Sequence, residues 1–226
     1  MQITGAIFDL DGTLIDSMGI WDELAEQYLL KNGIMPQKGV REAIKTMSLE
    51  ESVVYFKEHY KLEKDTDQMI KEINGMITVQ YKEKIPLKDG AKELLESLKE
   101  RNVKMCIATA TDKRLVVMAL KRLEILSYFE DIVTCSEIGK SKEHPDIYNE
   151  ALARIGTKKQ TTIVFEDAYH AICTAKKAGY VVAGVKEQSE LENQERIGKK
   201  ADFYITSLKE AEGQVYEEST GNCRIR

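Results

Sequence analysis

The stretch Ala6-Ile7-Phe8-Asp9-Leu10-Asp11-Gly12-Thr13-Leu14 constrains the fold of this chain more than any other. Its unbroken apolar opening suits a strand buried on both faces, the kind found in parallel sheets. The run ends in two carboxylates one residue apart, and Gly12 marks the turn where the strand stops. Side chains alternate along a strand, so Asp9 and Asp11 would share a face if it continued. Two acids placed so close repel each other unless a cation lies between them. Mg²⁺ is the hard, oxygen-seeking ion that suits such a pair, with a substrate phosphate completing its shell. A solvated Asp-rich turn is the alternative that spacing alone leaves open.

Beyond this stretch the pattern becomes helical. From Asp16 to about Lys84 no strand is expected. Apolar residues recur at helical spacing in four groups: Trp21, Leu24, Ala25, Tyr28 and Leu29; Val40, Ile44 and Met47; Val53, Val54 and Phe56; Met69, Ile73, Met76, Ile77 and Tyr81. Asn32-Gly33 reads as a C-terminal stop of the first helix, and Ser48 with Glu51 as a capping box for the third. A helical insert after the first strand of an α/β domain would cover the carboxylates like a lid.

From Pro86 strands and helices alternate. Strands are expected over Val103–Ala108, Asp131–Thr134, Thr161–Phe165, Val181–Val185 and Ala201–Ile205, with helices between them. That rhythm predicts a Rossmann-like, doubly wound parallel sheet. The core is expected over 1–15 and 85–226, with an all-helical cap over 16–84. From about Gly213 the periodicity lapses, and the tail reads as frayed. Gly139-Lys140-Ser141 is no phosphate loop, because Thr134 stands where that pattern needs glycine.

In an open α/β sheet, ligands gather beyond the carboxyl ends of the strands. Those ends offer Asp9 and Asp11, then Thr109 and Thr111, then Glu166 and Asp167, with Lys140 and Lys142 after the third strand. Acids for a metal, hydroxyl donors and a lysine are what phosphoryl transfer needs.

These residues, in this order, resemble the motifs of the haloacid dehalogenase superfamily. Asp9-Leu10-Asp11-Gly12-Thr13-Leu14 matches its first motif and Thr109 its second. Lys142-Glu143-His144-Pro145-Asp146-Ile147-Tyr148 matches the third, and Phe165-Glu166-Asp167-Ala168 the fourth. The resemblance implies Asp9 as nucleophile, Asp11 as general acid and base, and Thr109, Ala110 and Lys142 as phosphoryl-binding groups. It implies Asp9, Asp11 and Asp167 around Mg²⁺, with Glu166 beside Asp167 or bound through water. Lys142 is chosen over Lys140 by its three-residue spacing to Pro145. Trp21 is expected in the cap core or in the substrate pocket. Glu143, Ala168 and Ala171 depart from the usual Pro, Ser and Gly; Ala168 is expected to loosen order around the metal. Thr109 could also cap the helix that follows it, and His170 is expected in solvent.

The layout is closest to the β-phosphoglucomutase-like members of that superfamily. Trp21 stands where the mutases carry a cap histidine, and Leu49 where they carry a cap arginine. The function implied is hydrolysis of a small-molecule phosphomonoester through an aspartyl-phosphate. A sugar phosphomutase and a non-catalytic phosphate-binding module are the alternatives. A net charge of -5 with interleaved signs gives no nucleic-acid signature. Cys106, Cys135, Cys173 and Cys223 show no CxxC pair, and no apolar run approaches the ~18 residues of a membrane span. A cytoplasmic monomer is therefore expected.

Overall fold

Gly5–Phe8 forms strand β1 in the computed structural model, and all four of its residues are buried. The structure describes residues 3–44, 47 and 49–217, leaving out the side chains at 21, 22, 41, 42, 212 and 214–217. Contacts divide the chain into two compact units, Met1–Asp16 with Ile85–Arg226, and Ser17–Lys84.

The second unit is helical: α1 (Met18–Lys31), α2 (Val40–Ile44), α3 (Leu49–Tyr60) and α4 (Thr66–Glu83). Asn32 ends α1, and Gly33 follows in the left-handed region with φ of 73°. Met69, Ile73, Ile77 and Tyr81 give α4 its buried face, as their spacing predicts. Val53 and Phe56 do the same for α3, but Val54 is 47% exposed and belongs to the opposite side. Adjacent residues on a helix point about 100° apart, so Val53 and Val54 cannot both face one core. Ser48, the expected cap of α3, lies outside the described residues.

The first unit continues with α5 (Ala91–Glu100), β2 (Lys104–Thr109), α6 (Lys113–Arg122), β3 (Asp131–Thr134), α7 (Cys135–Ile138) and α8 (Asp146–Ile155). It closes with β4 (Thr162–Glu166), α9 (Tyr169–Lys177), β5 (Val181–Val185), α10 (Gln194–Lys200), β6 (Phe203–Ile205) and α11 (Leu208–Glu217). The six strands run parallel in the order β3-β2-β1-β4-β5-β6. The α/β sheet expected from the sequence is the one observed. β1 is central, so Phe8 and Phe165 stack with ring centroids 4.5 Å apart directly beneath the strand ends. On one face of the sheet, Ile7, Cys106, Val133, Val164 and Val182 pack against Ile147, Tyr148, Ala151, Ile155 and Ile172.

Over 213–217 the expected frayed tail is corrected by α11, which runs to Glu217, and the rest of that tail lies outside the described residues. Leu208 and Ala211 are buried, and the helix packs on α5 and β6. Gly90, with φ of 85°, permits this: a Cβ there would stand 2.3 Å from the Lys209 amide nitrogen. The docking depends on a glycine more than a hundred residues upstream, which local periodicity does not register. Cys223 lies outside the described residues. No helix among the described residues is long and apolar enough to cross a membrane.

Candidate active site

Parallel pairing of β1 with β4 sets Phe8 opposite Phe165, so the chain carries Asp9 and Glu166 forward side by side. The Asp9 amide donates to the Phe165 carbonyl at 3.0 Å, holding the pairing one residue past the strand. Lys142, arriving from the loop before α8, reaches both acids. Its ammonium donates to Asp9 Oδ1 and, at 2.5 Å, to Glu166 Oε1. The Tyr148 hydroxyl donates to the same Glu166 oxygen at 2.9 Å. Thr13 Oγ1 donates to Asp167 Oδ1 at 3.0 Å, tying the first acidic loop to the last.

Oxygens of Asp9, Glu166 and Asp167 lie within 4.8 Å of one another, and all three residues are buried. Lys142 is only 7% exposed, so these four charges meet almost out of water. Lys140, its rival in sequence, instead pairs at the surface with Asp146 at 2.6 Å. Asp11 stands apart from the carboxylate cluster. Its Oδ2 accepts from Thr111 Oγ1 at 2.6 Å, and the Thr111 amide donates to Thr109 Oγ1 at 3.1 Å.

Of the expected metal set, Asp9 and Asp167 lie in this cluster together with Glu166, which was expected beside Asp167. The Asp11 carboxylate lies outside the cluster, because the chain leaves the strand line at Leu10 and turns at Gly12, φ 82°. Thr109 does not cap α6; Asp112 does, accepting from the Arg114 amide at 2.9 Å. Ala110 sits exposed at the end of β2 beside Thr109, and His170 is in solvent. Trp21 falls in α1, but its side chain lies outside the described residues. Thr13 and Tyr148 were given no role from sequence, although both sit inside the motifs quoted above.

The family model described as haloacid dehalogenase-like hydrolase matches residues 6–185, most of the chain. This chain is a haloacid dehalogenase-like hydrolase. Among its relatives is the phosphorylated carbohydrates phosphatase of Thermotoga maritima, 25% identical over 173 residues, which are 76% of this chain and 80% of that protein. Hexitol phosphatase B of Escherichia coli K12 is 26% identical over 213 residues, 92% of this chain and 94% of its own. A putative β-phosphoglucomutase from Thermotoga maritima superposes with a TM-score of 0.81, covering 96% of this chain and 99% of that one. At 23% identity that likeness speaks for the fold alone.

Electrostatics at this hydrolase's site follow from burial. Desolvation pushes the Asp9 carboxyl up to about 6; Lys142 beside it works in the opposite direction. Burial, then the Asp9 and Glu166 charges, holds Asp167 well above the usual carboxylate range. For Lys142 burial opposes the charge, but Asp9 and Glu166 outweigh it and raise its pKa. One ammonium does not neutralise three carboxylates. Glu166 Oε2 is buried and has no hydrogen-bond partner among the described residues. An orphaned buried oxygen beside two further acids fits a hard divalent cation. Asp9, Glu166 and Asp167 are the residues that would hold it.

Ala168 stands at the N-terminal cap of α9 without a side-chain hydrogen bond, as its departure from serine implies. Asp167 is held in place by Thr13 instead.

A stability prediction follows for the metal-free protein. A carboxyl whose folded pKa is raised keeps its proton longer in the folded state, so it stabilises below its unfolded value of 3.8. That contribution is lost as pH rises through about 6. Denaturant titrations of the chelated wild type and Asp9→Asn at pH 5 and 8 read it out. The wild type should lose about 1 kcal/mol relative to the variant over that interval. Added Mg²⁺ should reverse the loss; a pH-independent difference would contradict it.

Proposed function

We propose that this hydrolase is a Mg²⁺-dependent phosphatase that cleaves a small-molecule phosphomonoester through an aspartyl-phosphate on Asp9. One observation carries the reading: the two acids of the first motif occupy different environments. Asp9 is buried against Lys142, while Asp11 is half-exposed and held by Thr111. Paired carboxylates split in this way take separate roles.

Asp9 attacks phosphorus, and the bond from phosphorus to the leaving oxygen breaks. Asp11 gives that oxygen its proton. Asp11 then takes a proton from the water that attacks the aspartyl-phosphate, releasing inorganic phosphate and restoring both acids. Thr109 and Lys142 bind the phosphoryl oxygens, with Ala110 contributing backbone beside Thr109. The bound cation would neutralise the clustered carboxylates and the phosphoryl charge. The names of the relatives, a phosphorylated carbohydrates phosphatase and a hexitol phosphatase, support a small phosphorylated substrate.

Hydrolysis of p-nitrophenyl phosphate should vanish with excess EDTA and return with added Mg²⁺. Full activity after exhaustive chelation would refute the metal requirement.

A further inference from the structure

Lys88 lies outside every motif that marks this family in the sequence, just before α5, yet it reaches the turn that carries Asp11. Its ammonium donates to the Gly12 carbonyl at 2.6 Å, the Lys186 carbonyl at 2.9 Å and Glu187 Oε2 at 2.5 Å. An ammonium has three protons to give, and here three acceptors receive them. The Lys88 and Glu187 side chains are only 17% and 5% exposed. A buried carboxylate with a matching cation is a more demanding arrangement than a surface pair. The other Glu187 oxygen accepts from the Gln188 amide at 2.8 Å, so the carboxylate is fixed independently of the lysine.

The Gly12 carbonyl is the point at which this anchor meets the catalytic turn. Gly12 has φ of 82°, and its amide donates inward to the Ile15 carbonyl at 3.0 Å. Its carbonyl belongs to the peptide that leads into Thr13, whose hydroxyl holds Asp167. On the other side it adjoins Asp11, whose carboxylate accepts from Thr111 Oγ1 at 2.6 Å. Glycine passes readily between left-handed and right-handed backbone, so this peptide can rotate unless its oxygen is held. The Lys88 amide adds a second tie, donating to the Leu14 carbonyl at 2.9 Å, and Leu87 bridges Ile15.

We propose that Lys88, braced by Glu187, is a positioning residue for Asp11, fixing the Gly12 peptide so that the Asp11 carboxyl is aligned for proton transfer. The inference rests on the assignment of Asp11 as general acid. Proton donation matters most when the leaving oxygen is basic. A misaligned Asp11 should therefore slow cleavage of phenyl phosphate while sparing p-nitrophenyl phosphate, whose leaving group departs without help.

The test measures kcat/KM, which covers the steps through departure of the leaving group, for both substrates with Mg²⁺. The variants are Lys88→Met and the double variant Lys88→Met/Glu187→Gln, which removes both charges and leaves no buried carboxylate uncompensated. Both should lose about 10–100-fold on phenyl phosphate, the scale of misplaced acid catalysis. Loss on p-nitrophenyl phosphate should stay within about threefold, with phosphoenzyme accumulating, because Asp11 also serves the second step. If Lys88→Met does not fold, the double variant decides. An equal loss on both substrates, or wild-type rates on both, overturns the proposal. Wild-type protein inert toward both substrates would instead sink the phosphatase assignment itself.

Discussion

Asp9→Asn should abolish turnover and leave no phosphoenzyme, whereas Asp11→Asn should trap phosphate on Asp9. The two acids stand two residues apart, yet their surroundings differ in kind. Asp9 lies at the buried end of β1, where Lys142 contacts its Oδ1 and an oxygen of Glu166 lies nearby. Asparagine there keeps the shape but has no nucleophilic oxygen, so neither chemical step can begin. Asp11 lies past the strand, accepting from Thr111. On the proposed roles, asparagine there leaves the nucleophile intact and removes the proton carrier. With an activated donor such as acetyl phosphate, whose leaving group hardly needs protonation, Asp9 should still be phosphorylated. Dephosphorylation should then slow by about 10²–10⁴-fold, the usual worth of general acid–base catalysis. Intact-protein mass spectrometry of the Asp11→Asn variant should find the added phosphoryl mass, and peptide mapping should place it on Asp9. An adduct found in Asp9→Asn instead would mean that the nucleophile is another residue.

Strand ends were legible because the same physics writes them into the sequence. A strand buried on both faces is a short apolar run, and a polar loop must follow where it emerges. The acids at 9, 11, 166 and 167 and the lysine at 142 therefore stand out by position. Lys142 could be separated from Lys140 because only one of them has the right spacing to Pro145. What the sequence did not disclose depends on where a chain turns and what packs from afar. The Asp11 carboxylate lies outside the cluster because the backbone bends at Gly12, and Glu166, left by the sequence beside Asp167 or bound through water, contributes its oxygen to the cluster where β4 ends. Thr111 stands out as a strand-end hydroxyl, but its bond to Asp11, like that of Tyr148 to Glu166, becomes visible only in the fold. Helix α11 was missed because its burial rests on Leu208, Ala211 and the missing side chain of Gly90, too few signals for a period. Val54 shows the reverse error, an apolar residue assigned inward by type that the helix turns outward.

Lys142→Met should be the most damaging single change on the cationic side of the site. Lys142 is the ammonium that Asp9 and Glu166 share, and Tyr148 donates to the same Glu166 oxygen. Methionine fills similar space but leaves those acids buried without their partner. Breaking a buried ion pair from one side destabilises by about 3–5 kcal/mol, because the remaining charge is uncompensated. Protonation of the acids can soften that loss, since burial already raises Asp9 and Asp167. A divalent cation should recover part of the stability by restoring positive charge, so the melting temperature of the variant should respond to Mg²⁺ more than that of the wild type. Catalysis should not recover with it. Removing one preorganised donor to developing phosphoryl charge costs about 10²–10³-fold in rate. Lys140→Met is the matched control, because Lys140 and Asp146 pair with 49% and 37% of their side chains exposed. Loss of such a surface pair should barely change stability and should leave kcat/KM near wild type. Equal losses from the two substitutions, or a Lys142→Met enzyme fully active once saturated with Mg²⁺, would remove Lys142 from the phosphoryl site.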